Sequence, residues 1–187
     1  MIGTSAGGLF ALTNILKILP HDYPIPVIIV QHRSKDQRYL LEEVLQSKCR
    51  IRIKQADEKE KIESGFVYIA PPDYHLLIEE DRTFSLSYDP PVNHSRPSID
   101  VLFETAALAF GETLIGIILT GANEDGALGI ATIKKMGGTT IAQDPIDAQF
   151  PVMPETAIAT NQIAYIRTLE EIGNFLLTIA YNNNENN

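Results

Sequence analysis

A serine flanked by glycines near the start of the chain is the residue best suited to act as a nucleophile. Ser5 stands in the sequence GTSAGG at residues 3–8, between a short apolar stub and an apolar-rich segment. The G-x-S-x-G spacing at a strand–turn–helix junction is how hydrolases present a nucleophilic hydroxyl on a sharp turn. A glycine-rich turn can also cradle a phosphate, and Ser5 could simply cap the following helix, so the turn alone does not decide its use.

Two further residues complete the requirements of a nucleophilic serine, which needs a base and a carboxylate that orients the base. His32 follows a β-branched apolar run, and Asp125 lies in the loop GANEDG after another apolar run. The carboxyl ends of parallel strands share one edge of a sheet. We therefore expect Ser5, His32 and Asp125 to converge as nucleophile, general acid/base and orienting partner.

Each of the two partners also has a simpler interpretation. A histidine at a strand end is often only a hydrogen-bonding residue, and Asp125 precedes Gly126, where a helix is predicted to start, so it could be an N-cap. Glu124 is a rival carboxylate in the same loop. The combination of three residue types at three strand ends is what favours the catalytic interpretation.

Other glycine-rich sites fit this sequence less well. A dinucleotide site requires G-x-G-x-x-G and an acidic residue about 20 positions further on. Here Ser5 takes the place of the second glycine and the second strand ends in Gln31 and His32. No Gly-Lys-Ser/Thr follows the turn, which excludes a P-loop. The four histidines show no paired metal-ligand spacing, so we expect neither a metal nor a cofactor.

Composition and charge limit the class of protein further. The chain has 187 residues, a net charge of −9 and one cysteine. Its acidity argues against a nucleic-acid partner, and a single cysteine excludes an internal disulfide framework. The sequence contains no apolar run long enough to cross a bilayer and no signal peptide. We therefore expect a cytoplasmic protein that is not inserted in a membrane.

The alternation of strand and helix patterns predicts an α/β fold: a doubly wound, mostly parallel sheet with helices on both faces and an attached antiparallel hairpin. One domain is expected over residues 1–181, followed by a disordered asparagine-rich tail at 182–187. The predicted strands are 1–2, 27–30, 51–55, 66–70, 114–119 and 139–142, with a hairpin at 76–78 and 84–86. The predicted helices are 9–19, 39–48, 98–110, 126–136, 154–160 and 170–181.

Segments along almost the whole chain, in order, resemble the catalytic domain of CheB-type protein-glutamate methylesterases, the demethylases of chemotaxis receptors. The matching sequences are IGTSAGG, VQH, APPDYH, SRPSIDVLF, LTG with DGALG, QDP and MPETAI. The resemblance implies that Ser5 is the nucleophile, His32 the general acid/base and Asp125 its partner. Segments 71–73 and 98–100 are expected to shape the cleft.

The resemblance also implies the substrate, which would be glutamate methyl esters on the helical cytoplasmic region of transmembrane chemoreceptors. Some members also deamidate receptor glutamines, and a methyltransferase is a further candidate partner. Methanol would leave after attack by the serine, and no cofactor would be needed. Backbone N–H groups near Ala6 and Gly7 are candidates to hold the oxyanion, with the N–H of Ala122 as a further candidate.

The sequence departs from its relatives in two respects. Many relatives carry a receiver domain before the esterase, whereas nothing precedes Met1 here, so control by phosphorylation of such a domain is not expected within this sequence. Relatives also often have a hydroxyl residue in place of Ala6 and a methionine–glycine pair in place of Ala122 and Asn123.

A non-catalytic signalling module that binds a receptor or a methyltransferase is the alternative function.

Overall fold

A seven-stranded parallel sheet lies at the centre of the structure, a computed structural model that describes residues 1–33 and 40–184. The strands of the described chain are β1 (Ile2–Thr4), β2 (Val27–Gln31), β3 (Arg52–Gln55), β4 (Phe66–Ile69), β5 (His75–Ile78), β6 (Phe84–Ser87), β7 (Ile115–Ile118), β8 (Thr139–Gln143) and β9 (Tyr165–Arg167). Their order in the large sheet is β3-β4-β2-β1-β7-β8-β9, and β5 pairs with β6 as an antiparallel hairpin. The predicted architecture is confirmed.

Helices cover both faces of this sheet, as the fold class requires. They are α1 (Gly8–Leu16), α2 (Leu40–Gln46), α3 (Ile99–Phe110), α4 (Ala127–Lys135), α5 (Val152–Ala159) and α6 (Leu169–Asn184). Buried residues of α1, α2 and α6 share one core cluster, and those of α3, α4, α5 and the hairpin share the other. No helix in these ranges combines the length and apolar character needed to cross a membrane.

Strand β2 shows why a continuous apolar run predicts a central strand. Val27 and Ile29 belong to the core cluster on the α1 and α6 face, and Ile28 and Val30 belong to the opposite cluster. Because successive side chains of a strand point to opposite faces, a strand with helices on both sides must be apolar throughout.

Strand β9 was not predicted, and several helix ends differ from expectation: α2 ends at Gln46 rather than residue 48, and α5 begins at Val152 rather than residue 154. All three residues of β9 are exposed at the sheet edge, so the strand lacks the buried apolar run that revealed the others. Helix α1 ends at Leu16 rather than residue 19. Helix α6 continues three residues past its predicted end into the tail expected to be disordered. The rest of that tail, 185–187, and the predicted start of α2 at residue 39 lie outside the described residues.

The order of the strands creates one special position in the sheet. From β1 the chain builds towards β2, β4 and β3 on one side, then returns to the other side of β1 through β7. In open parallel sheets, ligands bind beyond the carboxyl ends of the strands where the order reverses. The loops after β1, β2 and β7 meet at this position.

Candidate active site

The three predicted site residues each follow one of these central strands. Ser5 comes directly after β1 and His32 directly after β2, and in the parallel pair Thr4 lies opposite Gln31. The N–H of His32 donates to the Thr4 carbonyl at 3.1 Å. The main chains of Ser5 and His32 are thus neighbours by strand register. Asp125 comes from the loop after β7, on the other side of β1.

The imidazole of His32 contacts the carboxylate of Asp125. Nε2 of His32 lies 2.8 Å from Oδ2 of Asp125, whose side chain is fully buried, while the His32 side chain is 13% exposed. A buried carboxylate at this distance fixes the orientation of the ring and the position of its proton. Two of the three predicted residues are therefore in direct contact.

Helix α3, rather than α4, receives the Asp125 carboxylate at its N-terminus. Oδ2 accepts from the N–H of Ile99 at 2.7 Å, and Oδ1 accepts from the Ser98 hydroxyl at 2.8 Å and the N–H of Asp100 at 3.2 Å. Helix α4 is capped by Gly126 without any side-chain hydrogen bond. The interpretation of Asp125 as an N-cap of the helix beginning beside it is wrong, because its carboxylate turns towards a helix distant in sequence.

These contacts determine the charge of Asp125. Burial alone would raise the pKa of its carboxyl, but hydrogen bonds from His32, Ile99 and Ser98 outweigh burial and hold that pKa below its ordinary value. The N-terminal end of α3 also favours a negative charge. At neutral pH Asp125 is an ionised carboxylate, which lets it accept a proton-bearing nitrogen of His32.

The turn that carries Ser5 is held by its backbone, and the Ser5 hydroxyl does not cap α1. The N-cap of α1 is Gly7, with φ of 80° and no side-chain hydrogen bond, so the capping interpretation of Ser5 is wrong. The Ser5 N–H donates to the Thr120 carbonyl at 3.0 Å, and its carbonyl accepts from the N–H of Gly8 at 3.0 Å. Within the described ranges, no hydrogen bond joins the Ser5 hydroxyl to His32.

Gln31 ties the serine turn to His32, a contact that sequence reasoning missed. Its Nε2 donates to the carbonyls of Ser5 at 2.8 Å and His32 at 2.9 Å. Gln31 is buried, and Gly8 lies so close to its carboxamide that a Cβ at residue 8 would overlap it. The position of Gln31, at the end of β2 beside His32, was the available signal.

The three backbone N–H groups considered for the oxyanion lie around this turn. Ala6 and Gly7 are half-buried and Ala122 is exposed. None of the three finds a protein acceptor among residues 1–33 and 40–184. The Ala6 carbonyl accepts from the Thr120 hydroxyl at 2.9 Å, which fixes the peptide adjoining Gly7. These donors are free to face a ligand as far as the described chain is concerned.

Asn123 is a second residue that sequence reasoning did not assign to the site. Its Nδ2 lies 3.3 Å from Nδ1 of His32, and its Oδ1 accepts from the Asp125 N–H at 3.2 Å. The bond to the N–H two residues ahead is a typical asparagine turn, which the loop sequence could have signalled. Segment 98–100, which is expected to shape the cleft, contributes three donors to the Asp125 carboxylate.

Among the described residues, the other histidines make no hydrogen bond to Ser5, His32 or Asp125, although His75 contacts Ser98. His75 is buried, with Nδ1 accepting from the Ser98 N–H at 3.2 Å and Nε2 donating to the Pro90 carbonyl at 3.1 Å. His21 and His94 are exposed. Across the described chain, no three His, Cys, Asp or Glu side chains are grouped closely enough to hold a metal ion. His32 is the histidine that meets a buried carboxylate.

Asp100, beside the site, gives the protein an unusual pH dependence. Burial, together with the charges of Asp125 and Glu104, raises the pKa of its carboxyl to about 6, although the N–H of Gly129 donates to it. The stability that this group contributes is full below its unfolded value of 3.8 and is lost as pH rises through about 6. We expect Asp100→Asn to remove up to about 3 kcal/mol of pH-dependent stability.

The measurement is urea unfolding of wild type and Asp100→Asn at pH 7 and pH 4.5. The difference in their free energies of unfolding should change by about 2 kcal/mol between the two pH values, in favour of the wild type at the lower one. The exposed Asp22→Asn serves as the matched control and should follow the wild type. If the free energies of unfolding of wild type and Asp100→Asn differed by the same amount at both pH values, the burial of the Asp100 carboxyl would be contradicted.

Comparison with known proteins finds a matching family model and similar sequences. The CheB methylesterase family model matches residues 1–176. A Leptospira interrogans protein provisionally named protein-glutamate methylesterase/protein-glutamine glutaminase is 50% identical over 188 residues, which cover 99% of this chain and 96% of that protein. A Paraburkholderia xenovorans protein-glutamate methylesterase/protein-glutamine glutaminase is 39% identical, with 92% of this chain aligned to 48% of its length. This chain thus spans about half of that longer relative.

A solved structure has the same fold. The crystal structure of the Thermotoga maritima CheB methylesterase catalytic domain superposes with a TM-score of 0.91 and 32% sequence identity. The match covers 95% of this chain and 96% of that one.

Proposed function

Since the chain belongs to the CheB methylesterase family, we propose that Ser5, His32 and Asp125 hydrolyse glutamate methyl esters of chemoreceptors and release methanol. The observation that carries this proposal is the contact between His32 and the buried Asp125 at 2.8 Å, one strand away from Ser5. A buried carboxylate, an imidazole and a neighbouring serine hydroxyl form the set of groups that acyl transfer requires.

The contacts support a different role for each nitrogen of the His32 ring. The ionised Asp125 accepts from Nε2, so Nε2 carries the ring proton and Nδ1 is the base. Nδ1 takes the proton of the Ser5 hydroxyl as Oγ attacks the ester carbonyl carbon, and the carbonyl oxygen becomes an oxyanion. The oxyanion accepts from the N–H groups of Ala6 and Gly7, with Ala122 as a third donor.

The second half of the reaction regenerates the serine. The protonated His32 gives its proton to the methoxide oxygen, the ester C–O bond breaks, and methanol leaves an acyl-enzyme on Ser5 Oγ. Water then loses a proton to Nδ1 and attacks the acyl carbon. The protonated His32 returns that proton to Ser5 Oγ as the bond between Oγ and the acyl carbon breaks, and the released glutamic acid loses its proton to solvent. Ammonia would leave in place of methanol if a receptor glutamine were the substrate, as the names of the relatives suggest.

The direct test is methanol release from a methylated receptor fragment by the purified protein. Time-dependent methanol with matching loss of methyl groups is the expected result. Receptor binding without any methanol would favour a non-catalytic module instead. Because the implied receptor region is cytoplasmic, a receptor substrate would place the reaction in the cytoplasm. Binding of a methyltransferase is a further prediction.

Exposed aromatic side chains beside the serine turn support a protein substrate. Phe10, in the first turns of α1, is 56% exposed, and Phe150 is 44% exposed. Phe150 is tied to the turn by its backbone, because its N–H donates to the Thr120 hydroxyl at 2.9 Å and that hydroxyl donates to the Ala6 carbonyl. We propose that these two rings contact apolar residues on the helix that carries the methylglutamate.

We expect Phe10→Ser and Phe150→Ser each to raise KM for methylated receptor about tenfold and to leave kcat nearly unchanged. Loss of an exposed aromatic contact typically weakens binding by about 1–2 kcal/mol without touching the reacting atoms. Leu108→Ser is the matched control, since Leu108 is 72% exposed near the far end of α3. The measurement is initial rate against receptor concentration. An unchanged KM in both variants would exclude this contact surface.

A further inference from the structure

Asn123 contacts both His32 and Asp125, and its two hydrogen bonds fix the orientation of its amide. Oδ1 accepts from the backbone N–H of Asp125 at 3.2 Å, and a backbone N–H can only donate. The opposite end of the amide, Nδ2, therefore faces Nδ1 of His32 at 3.3 Å. Reversing the amide would break the bond to Asp125.

Because Asp125 accepts from Nε2 of His32, Asn123 must be the donor in its own contact with Nδ1. The buried, ionised Asp125 accepts from Nε2, so in the neutral ring Nδ1 has a lone pair and no proton. The amide N–H of Asn123 points at this lone pair. In the proposed function, on which this inference rests, the same lone pair takes the proton of Ser5.

Asn123 and Ser5 therefore compete for one acceptor. Nδ1 has a single in-plane lone pair, so only one of the two donors can be well aligned with it at a time. Within residues 1–33 and 40–184, Asn123 makes that bond and Ser5 does not. At 3.3 Å the hydrogen bond from Asn123 to Nδ1 is longer than most hydrogen bonds donated by N–H groups in proteins. Little free energy is therefore needed to displace it.

We infer that Asn123 is a positioning residue that occupies the basic nitrogen of His32 in the free protein and yields it to Ser5 when substrate binds. Because its own amide is fixed by the N–H of Asp125, Asn123 holds the His32 ring in place, and it lowers the reactivity of the resting serine.

The test compares Asn123→Ala and Asn123→Asp with the wild type by the rate at which a fluorophosphonate labels Ser5. In Asn123→Ala the base is unoccupied, so labelling should be about two- to tenfold faster, the range that one weak hydrogen bond allows. In Asn123→Asp a carboxylate faces Nδ1 and favours a proton there, so labelling should be slower at pH 7 and recover at higher pH. Asn174→Ala, an exposed position on α6, is the matched control and should behave as wild type.

A second readout reports the contact independently of reactivity. In protein with ¹⁵N-labelled histidine, Asn123→Ala should move the Nδ1 resonance of His32 and leave its Nε2 resonance in place. An unmoved Nδ1 resonance overturns the inference, as does slower labelling of Asn123→Ala with an unchanged pH profile, because a merely structural residue would give that result. Failure of the wild type to label at Ser5 would instead overturn the proposed function, and the resonance would still decide the role of Asn123.

Discussion

Replacing Ser5 with alanine will lower methanol release from methylated receptor by roughly 10⁶-fold, the loss seen when the nucleophile of a serine hydrolase is removed. Without Oγ no acyl-enzyme forms, and only binding and oxyanion stabilisation remain to assist direct attack by water. KM should change little, because the hydroxyl is not expected to hold the substrate before attack. The measurement is methanol release under saturating receptor.

The structure predicts that this loss will not come from unfolding. The Ser5 side chain makes no hydrogen bond within the described ranges, and the turn is held by backbone bonds and by Gln31. The melting temperature of Ser5→Ala should therefore match the wild type. Ser47→Ala, an exposed serine after α2, is the control for the substitution itself. Methanol release by Ser5→Ala at the wild-type rate would show that Ser5 is not the nucleophile.

Asp125→Asn will lower kcat by about 10⁴-fold, with little change in KM. The amide keeps the shape of the carboxylate but loses its charge and turns one acceptor into a donor. It can no longer accept from Nε2 of His32, the Ser98 hydroxyl and the N–H groups of Ile99 and Asp100 together. The ring is then free to place its proton on Nδ1, which leaves Ser5 without a base.

The same substitution should also affect stability, because Asp125 is fully buried and its pKa is held below the ordinary value. The stability that the carboxylate contributes is present above its unfolded pKa and is lost as pH falls through the folded pKa. Asp125→Asn should therefore unfold more easily than wild type at pH 7, with a smaller difference in strong acid. Asp22→Asn, an exposed aspartate, should show neither effect. Wild-type kcat in Asp125→Asn would remove this residue from the mechanism.

The sheet was predictable because its central strands are buried on both faces. The run at 27–30 is typical of a strand covered by helices on both faces, and the helices were predicted from its neighbours in chain order. Strand β9 was not predicted, because an exposed edge strand need not be apolar. Convergence of His32 and Asp125 followed from the rule that parallel strands end at one edge.

The supporting contacts could not be predicted in the same way. That the Asp125 carboxylate would reach the start of α3, 26 residues earlier in the chain, depends on how α3 packs against α4. Local sequence rules instead assigned Asp125 to the adjacent helix. The amide contacts of Gln31 and Asn123 depend on side-chain orientation across two strands and a loop, which sequence periodicity does not encode.

The attachment of Asp125 to the first turn of α3 makes hydrolysis depend on docking of a remote helix. Ser5 and His32 are joined by neighbouring strands and by Gln31, whereas Asp125 lies in a loop whose carboxylate is held by the start of α3. A substitution that loosens the packing of α3 should therefore lower activity through the orientation of His32, although it touches neither Ser5 nor His32. Under the proposed function, a molecule in which α3 has come away from the sheet would cleave esters far more slowly than the folded protein.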